Sequence, residues 1–86
     1  MTTREIHLQE GGRLTSQAAS AIVRRAGNFG SSVLINVGSK TVNAKSLMGM
    51  MTLGELRGTL RLTSDGRDED DAIAAIADSL LEALGA

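Results

Sequence analysis

The spacing of apolar residues constrains the fold of this chain most strongly, because it changes repeatedly between a period of two and a period near 3.6. Four segments alternate apolar with polar residues or are rich in β-branched residues, as half-buried strands are: residues 4–9, 32–37, 40–44 and 59–63. Three segments place their apolar residues on one helical face: residues 16–26, 46–52 and 68–84. The predicted order of elements is therefore β-α-β-β-α-β-α.

This order favours one fold class. Three helices with an apolar face need a surface to cover, and four strands need one face buried. The economical arrangement is an α+β open-faced two-layer sandwich, in which three helices lie on one face of a four-stranded antiparallel sheet. A ferredoxin-like module has nearly the same order, and the pattern does not separate the two. With 86 residues, the chain is expected to form a single domain over residues 1–86.

Composition argues against several kinds of site. The chain has no cysteine, which rules out disulfides, thiol catalysis and thiolate metal sites, and we expect neither a metal nor a cofactor. A net charge of −1 argues against direct binding of nucleic acid, which usually needs a basic surface. The N-terminus lacks an apolar leader, and no apolar run is long enough to span a membrane. We therefore expect a cytoplasmic protein without membrane contact.

The predicted helix ends carry residues that commonly cap helices. Thr15 or Ser16 can cap the first helix and Ser46 the second, because a hydroxyl oxygen accepts free backbone N–H groups. Gly11-Gly12 is expected to end the first strand. The acidic run 68–71 suits the positive end of the last helix dipole, although it could equally be solvated surface.

Basic residues and the single histidine give weaker signals. Four basic residues could form a local basic face or be ordinary solvated surface: Arg13, Arg24, Arg25 and Lys45. His7 lies in the first predicted strand, on the side opposite Ile6 and Leu8. We expect it to be an exposed surface residue, with no part in group transfer.

Residues 42–54, VNAKSLMGMMTLG, closely resemble the signature around the regulatory serine of HPr, the histidine-containing phosphocarrier of the bacterial phosphotransferase system. Residues 18–33 resemble the first helix and following strand of that family, and residues 66–84 resemble its last helix. The resemblance runs without a gap from about residue 6 to residue 58, with one apparent deletion before Gly66. It implies that the open-faced sandwich is the HPr fold.

The family's catalytic motif, GLHARPAA, is degenerate at the matching positions. Leu14 matches the leucine, Thr15 falls on the phosphoryl-accepting histidine, and Gln17 falls on the arginine that steadies the phosphate. A register shifted by one residue puts Leu14 at the histidine position, which is no better. A threonine hydroxyl without a neighbouring base forms a stable ester, and Gln17 brings no charge. We therefore expect no catalytic residue and no enzymatic activity, with Thr15 a plain helix cap.

Ser46 is retained. By the resemblance, it is the serine that an ATP-dependent HPr kinase/phosphorylase phosphorylates. Its predicted place at a helix N-terminus, next to Lys45, suits a phosphate group. An unmodified helix cap is the alternative.

The second helix is too short to bury all of its apolar residues. Met50 and Leu53 are expected to face the core. Methionine is common at partner surfaces, and an exposed apolar patch usually marks an interface. By the resemblance, five residues form a surface that docks partner proteins: Leu47, Met48 and Met51, with Ser20 and Arg24 of the first helix.

The sequence leaves three functions open. The leading hypothesis is a regulatory HPr-like protein, with HPr kinase/phosphorylase and a catabolite-control transcriptional repressor or phosphotransferase components as partners. The second is a working phosphocarrier in sugar uptake that uses another residue. The third is a small binding module of ferredoxin-like fold, unrelated to the phosphotransferase system. A monomer or a weak homodimer fits all three, since a sheet edge can be open.

Overall fold

The computed structural model describes residues 1–84, which form seven elements in the predicted order. The strands are β1 (Thr2–Arg13), β2 (Ser32–Val37), β3 (Lys40–Asn43) and β4 (Glu55–Asp65). The helices are α1 (Ser16–Ala26), α2 (Leu47–Met51) and α3 (Glu69–Leu84).

The strands form one antiparallel sheet in the order β1-β4-β2-β3, so β1 and β3 are its edges. Helix α3 packs on β1, β4 and β2, α1 packs beside α3, and α2 packs against α1 and β3. The predicted α+β open-faced sandwich with three helices is confirmed.

The two faces of the sheet follow the alternation in the sequence. Ile6 and Leu8 of β1 are buried, whereas His7 between them is exposed. Its ring Nδ1 lies 2.8 Å from the hydroxyl of Thr59 on the neighbouring strand. The helices complete the core with their own apolar stripes, which include Ile22, Ile73, Ile76 and Leu80. His7 is therefore a surface residue of the open face, as expected.

The predicted end of the first strand is wrong. β1 continues through Gly11-Gly12, with a bulge between Leu8 and Gly12, and β4 is correspondingly longer than residues 59–63. Gly11 has φ +71°, and a β-carbon there would overlap the carbonyl oxygen of Leu56. The glycines thus let β1 bend while it stays paired, instead of ending it.

Candidate functional site

The backbone before α2 is held so that Ser46 caps this helix. Ser46 is extended (φ −104°, ψ 112°), and its Oγ accepts the backbone N–H of Gly49 at 3.1 Å. Asn43 shapes the preceding turn, because its side-chain oxygen accepts the N–H of Lys45 at 2.8 Å and its carbonyl accepts the N–H of Ser46 at 2.9 Å. The serine hydroxyl is half-buried at the start of the helix.

Lys45 is not a free surface cation. Its Nζ donates to the carbonyl oxygen of Phe29 at 2.8 Å and so ties the start of α2 to the loop after α1. Arg25 donates to the hydroxyl of Ser79 on α3 at 2.9 Å. Of the four residues considered for a basic face, Arg13 and Arg24 are exposed without such a hydrogen bond among residues 1–84. Two of the four cations are therefore engaged in hydrogen bonds, and a continuous basic face stays a prediction.

Helix α2 exposes most of its apolar side chains. Met48 is 83% exposed, Met51 51% and Leu47 46%. Met50 is only 1% exposed and Leu53 is buried, so both face the core as expected. A helix of five residues has only one side against the core, and the other three apolar side chains are left in solvent. They form the docking patch, defined here as Leu47, Met48 and Met51.

Helix α1 supplies the remaining predicted positions. Ser20 is half-buried and Arg24 is exposed. They lie four residues apart, hence on one face of α1, and α1 packs against α2. A role in docking stays a prediction for all five residues.

Thr15 caps α1. Its backbone is extended (φ −71°, ψ 159°), and its Oγ1 accepts the N–H of Ala18 at 3.1 Å. Thr15 and Gln17 are exposed, and the first turn of α1 contains no acidic residue. The hydroxyl therefore acts as a hydrogen-bond acceptor, with no side chain of the first turn able to serve as its general base.

The candidate site is a surface and not a cavity. A groove of about 400 Å³ lies between β1 and α3, and one of about 240 Å³ lies between α1 and α3. Neither is lined by Thr15 or Ser46. Within residues 1–84 no cluster of three or more His, Cys, Asp or Glu residues is placed to hold a metal ion. No helix in this part of the chain is long and apolar enough to cross a membrane.

Some contacts around α2 were not foreseen from the sequence. Lys40 Nζ donates to the carbonyl of Thr52 at 2.7 Å, and the Thr52 hydroxyl donates to the carbonyl of Gly49 at 2.7 Å. Both hydrogen bonds are accepted by carbonyl groups at the C-terminal end of α2 and so cap this end. The turn at Asn43 had a local signal, since an asparagine readily bonds the backbone two residues later. The lysine contacts had none, because each joins residues more than ten positions apart.

Comparison with solved structures finds HPr proteins. The chain is 33% identical to the HPr-C-His protein of Thermoanaerobacter tengcongensis, covering 100% of this chain and 98% of that one, with a TM-score of 0.82. It is 29% identical to the phosphocarrier protein HPr of Bacillus anthracis, over 92% and 95% of the chains, with a TM-score of 0.80. It is 32% identical to the catabolite repression protein Crh of Bacillus subtilis, described as a domain-swapped dimer, over 98% of each chain with a TM-score of 0.74.

The family comparison agrees with these structures. The profile described as "PTS HPr component phosphorylation site" matches residues 2–82, which is nearly the whole sequence. The hypothesis of a ferredoxin-like module unrelated to the phosphotransferase system is therefore wrong. The chain belongs to the HPr family of the phosphotransferase system.

Proposed function

We propose that this protein is a regulatory member of the HPr family that acts by binding and does not carry phosphoryl groups. The observation that carries the proposal is the residue at the start of α1. Thr15 occupies the position that we assign to the phosphoryl-accepting histidine, and its hydroxyl accepts the N–H of Ala18. Gln17, at the position assigned to the arginine, brings no positive charge. Neither side chain can form a labile phosphoramidate.

Ser46 is the proposed control point. Its Oγ lies at the start of α2, where the N–H of Gly49 already donates to it, so a phosphate oxygen could take over this hydrogen bond. Phosphorylation would add about −1.5 to −2 charges next to three exposed apolar side chains. A partner that contacts the docking patch would therefore distinguish the two forms by charge.

The partners follow from this assignment. An HPr kinase/phosphorylase would modify Ser46, and a catabolite-control transcriptional repressor or phosphotransferase components would contact the docking patch with Ser20 and Arg24. The exposed apolar area of Leu47, Met48 and Met51 supports a protein partner, because an exposed apolar patch usually marks an interface and methionine is common at such surfaces. We place the single HPr-like domain, residues 1–86, in the cytoplasm as a monomer or weak homodimer without a cofactor.

Labelling with ATP and HPr kinase/phosphorylase tests the control point. Intact-mass measurement should show one added phosphoryl group on the natural chain and none on Ser46→Ala. Thr52→Ala is the matched control, since it removes a hydroxyl at the other end of the same helix. Ser46→Ala loses a helix cap, which costs about 1 kcal/mol, so its thermal unfolding is recorded alongside. Labelling that survives in Ser46→Ala would reject Ser46 as the site.

Incubation with phosphoenolpyruvate and the first enzyme of the phosphotransferase system tests the alternative. The proposal expects no acid-labile phosphate on the chain. Acid-labile phosphate that passes onward to a sugar transporter component would establish a working carrier, and mapping it to His7 would identify the residue used.

A further inference from the structure

Methionine is the residue of this chain that is most open to oxidation. The sequence contains no cysteine, tryptophan or tyrosine, so the thioethers of its four methionines are its only sulfur groups. Three of the four lie in the short helix α2: Met48, Met50 and Met51. Peroxides convert a methionine thioether into a sulfoxide, which makes a flexible apolar side chain polar. The groups that an oxidant can change are therefore concentrated next to Ser46.

Burial separates the three methionines of α2. Met48 and Met51 are exposed, whereas Met50 is almost completely buried. Met50 belongs to the hydrophobic core, and within residues 1–84 neither Met48 nor Met51 is among the side chains packed against that core. An oxidant in solution therefore reaches the two surface methionines, while the core methionine of the same helix is shielded. Oxidation of this pair changes the surface and leaves the core intact.

We propose that Met48 and Met51 are reversible oxidation sites through which hydrogen peroxide prevents docking at this surface. The thioether sulfur attacks one peroxide oxygen, the O–O bond breaks and an S–O bond forms, and the second oxygen leaves as water with both protons. Each sulfur loses two electrons, which reduce the peroxide. A methionine sulfoxide reductase with a thiol reductant reverses the step and yields the thioether, a disulfide of the reductant and water. This regulation rests on the proposed function, since it acts on a partner bound at the docking patch.

A sulfoxide changes what the docking patch can bind. The S–O bond is strongly polar and accepts hydrogen bonds from water, so burying it against an apolar partner surface costs free energy. Met48 and Met51 are two of the three members of the patch, and their oxidation leaves Leu47 as its single apolar member. Phosphorylation of Ser46 would add charge beside the patch, whereas oxidation would remove apolar character from the patch itself. The two modifications therefore act on one surface by different chemistry.

Peptide mass spectrometry after treatment with hydrogen peroxide tests the sites. Met48 and Met51 should each gain one oxygen, and Met50 should stay unmodified at the peroxide dose that fully oxidises the other two. Met50 is a matched internal control, because it has the same side chain in the same helix. Thermal unfolding of the oxidised chain should resemble that of the untreated chain. Oxidation of Met50 as fast as Met48, or an oxidised chain that is unfolded, overturns the proposal.

Labelling of Ser46 by HPr kinase/phosphorylase and ATP tests the effect on docking. The chain is oxidised and freed of peroxide before the kinase is added. Oxidation should lower kcat/KM about tenfold, because a sulfoxide at the interface is a polar group buried without a partner. The double variant Met48→Leu/Met51→Leu keeps apolar side chains of similar volume and also keeps the exposed Met1, so peroxide should leave its labelling unchanged. Reductases for both sulfoxide epimers should restore the rate of the natural chain.

The outcomes separate this regulation from the proposed function. Equal labelling rates for the oxidised and untreated natural chain overturn the regulation and leave the proposed function standing. A chain that the kinase does not label even before oxidation contradicts the proposed function instead, and retention on a phenyl column then decides. Oxidation should shorten the retention of the natural chain and leave that of the double variant unchanged. Unchanged retention of the oxidised natural chain would mean that the docking patch stays apolar, which also overturns the regulation.

Discussion

Asp68 and Ser31 bond to each other across 37 positions of sequence. The carboxylate of Asp68 accepts both the backbone N–H of Ser31, at 2.9 Å, and the Ser31 hydroxyl. The backbone N–H of Asp68 donates to the same serine oxygen at 3.1 Å. A further N–H, from Gly30, reaches the carboxylate at 3.1 Å. These hydrogen bonds hold the loop between α1 and β2 against the start of α3.

The Asp68 pair predicts a pH dependence of stability. Hydrogen bonds from Ser31 lower the pKa of the Asp68 carboxyl, the side-chain bond most, whereas the unfolded group titrates near pH 4. The charged form is favoured in the folded state, so the carboxylate's contribution to the free energy of unfolding is present in full above about pH 4. This contribution is lost as the pH falls through the lower pKa of the folded state. Asp68→Asn should lower the free energy of unfolding at pH 7 and flatten its decline below pH 4. Denaturant titrations at several pH values measure both effects.

A matched acid provides the control for this prediction. Asp70 is exposed in the first turn of α3, and its side chain makes no hydrogen bond to residues 30 and 31. Asp70→Asn should keep the acid dependence of the natural chain. An equal flattening in both variants would mean that general helix charge, and not the bond to Ser31, sets the profile.

Much of the fold was predictable because each element carries its own local period. Ile6 and Leu8 alternate with exposed residues, and Ile73, Ile76 and Leu80 recur at helical spacing. Burial of such stripes decides both the type of element and the side that faces the core. The capping hydroxyls Thr15 and Ser46 were also local signals, since each bonds an N–H three residues ahead.

Contacts between distant segments were not predictable. The sequence suggested that Lys45 is a free positive charge beside Ser46, whereas its ammonium group donates a hydrogen bond to the carbonyl of Phe29. The acidic run 68–71 indicated a favourable interaction with the helix dipole. It did not indicate that one of its members, Asp68, accepts hydrogen bonds from Ser31. Periodicity records which side of an element is buried and carries no information on which loop lies across from it. The family resemblance supplied the candidate site residues that this reasoning could not.

The bulge in β1 predicts unequal costs for two glycine substitutions. Gly58 has φ +70° with open space where a β-carbon would point, so Gly58→Ala should cost about 1–2 kcal/mol from the backbone conformation alone. Gly11 has φ +71° and, in addition, the carbonyl oxygen of Leu56 occupies the place of its β-carbon. Gly11→Ala should therefore be the more destabilising of the two in urea unfolding. A smaller cost at Gly11 would mean that the bulge rearranges freely.

Truncating two methionines of α2 should change stability by very different amounts. Met50 is 1% exposed, and Met50→Ala should lower the free energy of unfolding by about 2–5 kcal/mol, as core truncations do. Met48 is 83% exposed, and Met48→Ala should change it by no more than about 0.5 kcal/mol. If the docking patch binds a partner, Met48→Ala should nevertheless weaken that binding. Denaturant unfolding and calorimetric titration with the partner separate the two roles.

Restoring two residues at the start of α1 should create a phosphocarrier. Thr15 and Gln17 are exposed on a scaffold that retains the family fold, so Thr15→His presents a nucleophilic imidazole and Gln17→Arg adds a guanidinium next to it. With phosphoenolpyruvate and the first enzyme of the phosphotransferase system, the double variant should gain acid-labile phosphate. Thr15→His should gain less, and Gln17→Arg and the natural chain none.

Because the histidine gives up the cap on the N–H of Ala18, the double variant should lose about 1 kcal/mol of stability. A folded double variant that stays unlabelled would mean that the carrier site has lost more than these two side chains, and labelling of the natural chain would refute the regulatory assignment.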